Sequence, residues 1–159
     1  MIAVIESPIG LIRLESADGF ITGLYFGAGD DKVSEEPQNE RDAAVIALCQ
    51  QELAEYFSGR LKQFTVPLRA KGTDFRKQVW EELRRIPYGE TASYQEIAKR
   101  IGNPKAVRAV GGANHHNPIS IIVPCHRVIG ADGSLTGFGG GLEAKRWLLE
   151  LEKGNLQKT

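Results

Sequence analysis

The chain has 159 residues, of which 42% are hydrophobic and 25% are charged. This length suits one domain or two small ones, and the composition is typical of globular proteins rather than disordered or fibrous ones. Twenty basic and twenty acidic residues give a formal net charge of zero, which taken alone argues against a nucleic-acid partner. The first residues lack the basic and apolar segments of a secretion signal, and no apolar run approaches the roughly 20 residues of a membrane span. We therefore expect a cytoplasmic protein without a membrane partner.

The charges are unevenly distributed along the chain. Residues 1–71 carry a net charge of −4, and residues 72–159 carry a net charge of +4. Between Glu96 and Asp132 there is no acidic residue, although all three histidines and several lysines and arginines, Arg127 among them, lie there. A surface built from this acid-free window can face a polyanion, whereas chance fluctuation of surface charge is the simpler alternative.

The N-terminal part predicts a small sheet followed by a helix. Three runs rich in β-branched and aromatic residues are separated by turn residues, which is typical of an antiparallel meander; they span residues 2–6, 11–15 and 20–26. An aperiodic polar stretch over residues 27–41 predicts a loop. A helix over about residues 44–57 and a strand over residues 63–68 follow. The linker-like run after this strand divides the chain into domains 1–70 and 71–159.

The C-terminal part predicts successive helices. The first follows Thr73, which is a suitable N-cap, and a second, short helix follows Ser93. Asn103 can cap a third helix with Pro104 at its first position. A short helix, a tight turn and another helix form a helix-turn-helix.

The third predicted helix has the composition of a groove-binding element. It carries Lys105 and Arg108, and its other residues are nearly all Ala, Val or Gly, so its surface is narrow enough to enter a groove of DNA closely. An ordinary helix pair, in which small residues simply allow tight packing, explains the same composition and stays open as the alternative.

The chain has two cysteines, too few for a disulfide framework. Cys49 lies among apolar residues of the N-terminal helix, so we interpret it as a buried hydrophobic residue. Cys125 follows an apolar run, residues 119–123, that predicts a buried strand ended by Pro124. His126 and the acid-free surroundings favour a thiolate at Cys125, whereas a core cysteine continuing the strand is the alternative.

Three further features complete the pattern. Cys125, His126, His115 and His116 are candidate metal ligands, but adjacent residues rarely bind one ion, so we expect no metal site. The glycine-rich residues 136–141 predict a loop that a ligand can approach closely. An amphipathic helix over residues 143–152 ends at Glu152, which considered alone would be a solvated carboxylate.

Several motifs fall together at the spacings of one known family. Pro124-Cys125-His126-Arg127-Val128 is the family's signature, and the others are Tyr94-Gln95, Gly102-Asn103-Pro104-Lys105-Ala106, Arg108-Ala109-Val110-Gly111-Gly112-Ala113, Asn117-Pro118, and Gly140-Gly141-Leu142 with Lys145 and Trp147. The chain thus resembles the O6-alkylguanine-DNA alkyltransferases, also called methylated-DNA–protein-cysteine methyltransferases. The resemblance covers residues 73–152 with specific motifs and extends more weakly through the N-terminal part.

The resemblance implies an α/β (α+β) fold, with a small ribonuclease-H-like N-terminal domain and a helical C-terminal domain that contains a winged-helix-like helix-turn-helix. It also implies an enzyme that repairs DNA by direct damage reversal. Such an enzyme transfers the alkyl group of O6-alkylguanine, with O4-methylthymine as another candidate substrate, to its own cysteine once per molecule. It binds the minor groove and flips the damaged base out of the stack. The resemblance implies no cofactor, and we expect a monomer.

The family pattern assigns roles to individual residues at the reaction centre. Cys125 would accept the alkyl group, His126 would deprotonate it through a bridging water, and Glu152 would orient His126. Asn117 would hold the active-site backbone, and Tyr94 would crowd the target phosphate and donate its hydroxyl towards the guanine.

Other residues are implied to contact the DNA or the flipped base. Arg108 would fill the gap left in the duplex, and the carbonyls of Cys125 and Val128 would receive the guanine amino group. The remaining DNA-binding candidates are Asn103, Lys105, Ala106 and Ala109, and the remaining pocket candidates are Asn114, Thr136, Phe138 and Gly139. Phe138 stands where a tyrosine is common and Gly139 where a serine occurs, so two hydroxyl groups are missing from this pocket.

Two other functions explain part of the sequence. A winged-helix regulator that senses electrophiles through Cys125 would bind a specific DNA sequence without preferring alkylated guanine. A hydrolase with Cys, His and Glu at its centre would turn over repeatedly.

Overall fold

A computed structural model of the chain describes residues 1–27, 40–135, 138 and 140–156. The chain divides into two compact units, Met1–Ala70 and Lys71–Thr159. Most of the predicted loop at residues 27–41 and two pocket candidates, Thr136 and Gly139, lie outside the described residues. Among the helices described, none has the length and apolar character needed to cross a membrane.

The N-terminal unit contains the predicted antiparallel meander. Its strands are β1 (Ile2–Ser7), β2 (Gly10–Ala17) and β3 (Phe20–Phe26), in the order β1-β2-β3. Ile12 and Leu14 of β2 are fully buried, and Arg13 between them is only 6% exposed and pairs with Glu15, so residues on both faces of β2 have little contact with solvent. The helix α1 (Glu40–Phe57) contacts all three strands, so the sequence prediction of three strands and a helix is confirmed.

The strand predicted at residues 63–68 is wrong. This segment makes only one parallel bridge to the sheet, between Leu68 and Ile21. The carboxylate of Glu52 accepts the backbone N–H groups of Thr65 at 3.0 Å and Val66 at 2.9 Å, and Pro67 has no N–H to give. The backbone N–H groups of Thr65 and Val66 therefore bond to Glu52 and are not available for pairing with a neighbouring strand.

Cys49 is fully buried in α1, as its apolar neighbours predicted. Burial raises the pKa of its thiol to about 12, and the nearby charge of Glu52 acts in the same direction. A thiol with this pKa is protonated at neutral pH, so Cys49 behaves as a small hydrophobic residue.

The C-terminal unit is mainly helical, and the mixed α/β class predicted from the sequence is confirmed. Its helices are α2 (Asp74–Arg84), α3 (Tyr94–Arg100), α4 (Val107–His115) and α5 (Leu142–Leu156). The short strands β4 (Ala92–Ser93) and β5 (Val128–Ile129) pair in parallel, which the sequence did not predict. The predicted N-caps are confirmed, since the hydroxyls of Thr73 and Ser93 accept the backbone N–H groups of Arg76 and Glu96 at 3.2 Å and 3.1 Å.

The helix-turn-helix consists of α3, a turn and α4, which pack on α2. The predicted start of α4 at Asn103 and Pro104 is wrong, because the helix begins at Val107 and no side chain caps it. The backbone N–H of Ala106 donates to the Asn103 carbonyl at 3.0 Å and closes a turn. Pro104 occupies the second position of that turn, where its fixed φ is favourable.

The strand predicted at residues 119–123 is also wrong, although its burial is as expected. The segment is a series of tight turns. The backbone N–H of Ile122 donates to the Ser120 carbonyl at 2.9 Å, and that of Cys125 donates to the Val123 carbonyl at 2.8 Å. Ile121, between the first pair, has a φ of 72°. These turns lead into a single turn of 3₁₀ helix, Cys125–Arg127.

Candidate active site

Cys125 is the first residue of the 3₁₀ helix and is 4% exposed. The preceding Pro124 has φ −81° and ψ 65°, so the chain turns sharply at this point. On the other side, the 3₁₀ helix continues directly into β5. The thiol is therefore held by backbone that is fixed on both sides, and it is almost completely screened from solvent.

His126, Arg127 and Glu152 form a buried network next to this cysteine. The imidazole Nε2 of His126 lies 2.7 Å from Oε2 of Glu152. The guanidinium of Arg127 donates to the two oxygens of the same carboxylate, from Nε at 2.8 Å and from Nη2 at 3.1 Å, and its Nη1 donates to the Ile86 carbonyl at 2.7 Å. The backbone N–H of Gly89 adds a longer bond to Glu152 at 3.3 Å. All four hydrogen-bonding positions of the carboxylate are thus engaged.

These contacts set the protonation states of the network. Burial alone would raise the pKa of Glu152, but the hydrogen bonds and charges of His126 and Arg127 outweigh it and lower the pKa to about 2. Burial lowers the pKa of His126, although its bond to Glu152 opposes that change. At neutral pH the ionised Glu152 accepts the Nε2–H of a neutral imidazole, which assigns the tautomer with an unprotonated Nδ1. This Nδ1 is buried and has no hydrogen-bond partner among the described residues.

The thiol of Cys125 experiences opposing influences. Burial raises its pKa, whereas interactions with the side chains of Asn117 and Ser120 and the positive charge of Lys145 lower it. Lys145 is fully buried on α5, and its Nζ donates to the Val128 carbonyl at 2.6 Å. Burial lowers the pKa of Lys145 to about 8, while the nearby Cys125 acts in the opposite direction.

The electrostatic surroundings differ from those expected from the sequence. The window without acidic residues suggested that His126 and Arg127 would favour the thiolate. In the structure Glu152, from 26 residues beyond His126, lies against both side chains, and Arg127 is 7% exposed rather than facing a polyanion. The cation that acts on the thiol is Lys145 instead.

Two asparagines hold the backbone around the cysteine. The carboxamide of Asn117 donates to the Val123 carbonyl at 2.9 Å and accepts the Ile119 N–H at 3.0 Å, which ties together the two ends of the tight-turn segment. Nδ2 of Asn114 lies 3.5 Å from the Cys125 carbonyl oxygen, at the limit of a hydrogen bond. Its Oδ1 is buried without a partner in the part of the chain that the structure describes.

The remaining sequence-predicted residues form two groups. The exposed ones are Asn103, Lys105, Arg108 and Ala109, with Ala106 and Tyr94 half-buried beside them, and all lie on or next to α3 and α4 rather than in the buried network. Of the pocket candidates, Val128 is buried and Phe138 lies edge-on to His126, with ring centroids 6.5 Å apart. The structure therefore brings Cys125, His126, Glu152 and Asn117 into one buried site.

Sequence reasoning assigned no role in this site to Ser120 or Lys145, and it expected Arg127 to act on the Cys125 thiol rather than on Glu152. Ser120 and Arg127 are close to Cys125 in the chain, but neither residue type signals the direction of its side chain. A signal did exist for Lys145, because it precedes Glu152 by seven residues on α5. That spacing is two helical turns and places both side chains on the same helix face.

Comparison with known proteins places this site in a family. The family model described as the DNA binding domain of 6-O-methylguanine DNA methyltransferase matches residues 74–154, and the ribonuclease-like domain of the same family matches residues 1–70. A methylated-DNA–protein-cysteine methyltransferase of Methanosarcina acetivorans is 50% identical over 150 residues, which cover 94% of this chain and 96% of the relative.

Solved structures agree with the sequence comparison. Mycobacterium tuberculosis OGT in complex with DNA is similar with a TM-score of 0.84 and 48% identity, over 96% of this chain and 92% of that one. The M. tuberculosis O6-methylguanine methyltransferase is similar with a TM-score of 0.81 and 47% identity, over 97% of this chain and 93% of that one. Matched by both domain models along almost its whole length, the chain belongs to the 6-O-methylguanine DNA methyltransferase family.

Proposed function

We propose that this protein repairs O6-alkylguanine in DNA by moving the alkyl group to Cys125, once per molecule. The observation that carries the proposal is the buried Cys125 next to His126. Nε2 of His126 is fixed by the ionised Glu152, and its Nδ1 is unprotonated and has no partner among the residues that the structure describes. This arrangement provides a nucleophile, a base and a group that orients the base.

The reaction balances with the residues at hand. His126 takes the thiol proton at Nδ1, through a bridging water, and the positive charge that forms on the imidazole is stabilised by Glu152. The thiolate of Cys125 then forms the new S–C bond while the C–O6 bond breaks. The electron pair of the C–O6 bond remains on the guanine. The departing guanine takes up a proton, and the imidazolium of His126 gives one up through water, so that the thiol proton ends on the guanine and His126 is neutral again. A thiolate is a suitable nucleophile for an sp³ carbon, so the step requires no cofactor or metal.

The product explains why each molecule would act once. A thioether at Cys125 offers water no good leaving group, so the free thiol is not regenerated. The surrounding residues also exclude water from the 4%-exposed position. One protein molecule is accordingly consumed for each alkyl group that it transfers.

The helix-turn-helix would bind the DNA. Lys105 and Arg108 are exposed at the start of α4, and Ala106 and Ala109 leave the backbone of that helix close to its surface. Cations that contact phosphates give salt-dependent binding without sequence preference, and a narrow helix with an inserted side chain suits the minor groove. We assign Arg108 to the gap left by the flipped nucleotide. Asn103 and Tyr94 would add backbone contacts from the turn and from the start of α3.

The flipped guanine would lie against the residues that surround Cys125. The carbonyls of Cys125 and Val128 would accept its amino group. The Cys125 carbonyl already accepts the backbone N–H of Val128, so the guanine would replace the long Asn114 contact at 3.5 Å, and at Val128 it would share the carbonyl with Nζ of Lys145. Phe138 would form an apolar wall next to His126. We include Thr136 and Gly139 in this pocket on the family pattern alone.

The proposal is tested by mixing the purified protein with an oligonucleotide that carries one O6-methylguanine and measuring the intact mass. The expected result is one added methyl group, located in the peptide that contains Cys125. Cys125→Ala should bind the oligonucleotide without gaining mass, and Cys49→Ala should gain the methyl normally. No mass gain by the unaltered protein would refute the proposal. Repeated turnover would instead indicate a hydrolase, and sequence-specific binding without transfer would indicate a regulator.

A further inference from the structure

Two exposed histidines lie at the end of α4 that is remote from Lys105. His115 is the last residue of the helix, and His116 is its C-cap residue. Their rings meet edge to face, with the ring centroids 5.2 Å apart. Neither residue has a role in the reaction described above, so this histidine pair is available for a different contact.

The histidine pair continues the exposed surface of α4 that begins with Arg108. An α-helix turns by about 100° per residue, so His115 lies about 20° and His116 about 80° around the helix axis from Arg108. Val110 and Ala113 lie on the other side of the helix and are buried. The side that carries Arg108 and the histidine pair is therefore the side that faces away from the core of this unit.

This surface is long enough for phosphate contacts at both of its ends. At a rise of 1.5 Å per residue, Arg108 and His116 are about 12 Å apart along the helix axis. One strand of DNA carries a phosphate about every 3.4 Å along the duplex, so this distance spans roughly three or four nucleotides. DNA that contacts the start of α4 therefore also comes within reach of the histidine pair.

The ring of His116 is held in one tautomer. Its Nδ1 lies 2.8 Å from the carbonyl oxygen of Gly112. Because a carbonyl oxygen only accepts hydrogen bonds, Nδ1 carries the proton of the neutral ring, and Nε2 then has a lone pair. The neutral ring offers a phosphate no donor at Nε2. Protonation adds a positive charge and an N–H donor at this same atom.

The charged groups around the histidine pair belong to α2 and α3, the helices that pack on α4. Trp80 of α2 donates its Nε1–H to the Ala113 carbonyl at 2.8 Å, so α2 lies next to this end of α4. The charged or titratable side chains of the two helices are Asp74, Arg76, Lys77, Glu81, Glu82, Arg84, Tyr94, Glu96, Lys99 and Arg100. Two of the acidic ones pair with arginines, and within the described part of the chain no carboxylate lies at ion-pair distance from either histidine. A protonated imidazole here has no acidic partner in the protein.

We propose that His115 and His116 form a second phosphate-binding point of the DNA-binding surface, which acts only when the imidazoles are protonated. The inference rests on the proposed function, which brings DNA to α4. Histidine is the side chain that ordinarily changes its charge between pH 5 and pH 8. A positive charge is also favoured at the C-terminal end of a helix. DNA binding thus becomes tighter and more dependent on salt as the pH falls, whereas the contact of Lys105 acts throughout this range.

The test is a salt titration of DNA binding at two pH values. Fluorescence anisotropy follows the binding of the full chain to a labelled DNA duplex without a lesion, over a series of salt concentrations, at about pH 6 and about pH 8. His115→Gln/His116→Gln cannot gain charge at these positions, and His115→Arg/His116→Arg is charged at both pH values. Lys105→Ala removes an exposed cation whose charge is the same at both pH values and serves as the comparison.

For the full chain, the slope of log K against log salt should be steeper at the lower pH by about 0.9 for each histidine that contacts a phosphate, and so by about 0.9 to 1.8 in total. The glutamine variant should match the full chain at the higher pH and should gain no slope at the lower one. The arginine variant should have the steeper slope at both pH values. Lys105→Ala should reduce the slope by the same amount at both.

Two results would overturn the proposal. The first is an equal slope for the full chain at both pH values. The second is a pH-dependent slope that persists in the glutamine variant, which would place the titrating group elsewhere. If the glutamine variant binds poorly at the higher pH, the arginine variant decides the question, and a pH-dependent slope there counts against the proposal. Failure of the unaltered protein to bind DNA at either pH would instead count against the proposed function.

Discussion

Replacing Glu152 with Gln removes the charge at the centre of the buried network while keeping the shape of the side chain. The amide can accept a hydrogen bond through one atom only, so the fork of Arg127 loses one of its two acceptors. Arg127 remains charged because its pKa is too high to adjust, and it is left inside the unit without an anionic partner. His126 also loses the carboxylate that fixes its tautomer.

The size of the effect follows from the pKa of Glu152. It falls from an ordinary 4.5 to about 2 on folding, which corresponds to roughly 3 kcal/mol of stability at neutral pH. Removing one partner of a buried ion pair typically costs about 3–5 kcal/mol, which agrees with this value. Because the pKa of the folded state is lowered, this stability is fully present above about pH 4.5. It is lost as the pH falls towards 2, and roughly half of it remains near pH 3.

Urea unfolding followed by tryptophan fluorescence measures this effect. Both tryptophans, Trp80 and Trp147, lie in the unit Lys71–Thr159, so the signal reports the part of the chain that contains the network. Glu152→Gln should be about 3 kcal/mol less stable at neutral pH, and the difference should narrow below about pH 4.5. Glu150→Gln, an exposed neighbour on α5, should change stability by at most about 0.5 kcal/mol. A destabilisation by Glu152→Gln that is independent of pH, or one below about 1 kcal/mol, would refute the reasoning.

Three further predictions concern the thiol, the strained turn and the DNA surface. Lys145→Met should slow methyl transfer about tenfold near neutral pH, because the cation that lowers the thiol pKa is lost. The difference in rate should narrow above about pH 8, where Lys145 itself deprotonates. The exposed Lys153→Met is the control, and an unchanged pH–rate profile would contradict the prediction. The Ile121→Gly protein should be about 1 kcal/mol more stable than Ile121→Ala, because glycine adopts the positive φ without strain. At the buried Ile119 the order should be reversed, with Ile119→Ala more stable than Ile119→Gly. Urea unfolding of the four variants measures these stabilities, and the same order at both positions would exclude strain at Ile121. Lys105→Ala should weaken DNA binding and reduce the slope of log K against log salt by about 0.9, with iodoacetamide labelling of Cys125 unchanged. An unaltered salt slope would mean that Lys105 makes no phosphate contact.

Local sequence signals predicted most of the elements correctly. Runs rich in β-branched and aromatic residues, separated by turn residues, predicted the meander. The hydroxyls of Thr73 and Ser93 marked the starts of α2 and α3, because capping depends on residues three positions apart. The apolar run at residues 119–123 indicated burial correctly but not conformation. An apolar composition is compatible with a strand or with buried turns, and here the carboxamide of Asn117 stabilises the turns.

The site was only partly predictable for a different reason. The role of His126 next to Cys125 could be proposed because the two residues are adjacent, and the family motif supplied Glu152. The absence of acidic residues between Glu96 and Asp132 led to the wrong expectation that no negative charge lies near His126 and Arg127. Residues far apart in the sequence can be close in the structure, and α5 places Glu152 beside both side chains.

Helix α5 delivers a cation and an anion to the site from one face, with Lys145 beside the cysteine and Glu152 beside the histidine. The two groups are therefore mechanically linked. Each residue of a helix turns it by about 100°, so inserting or deleting one residue between them would swing one away while the other stayed in place. The seven-residue interval on α5 therefore fixes the positions of both groups relative to each other. Any relative that keeps this reaction centre must preserve the interval, whatever residues fill it.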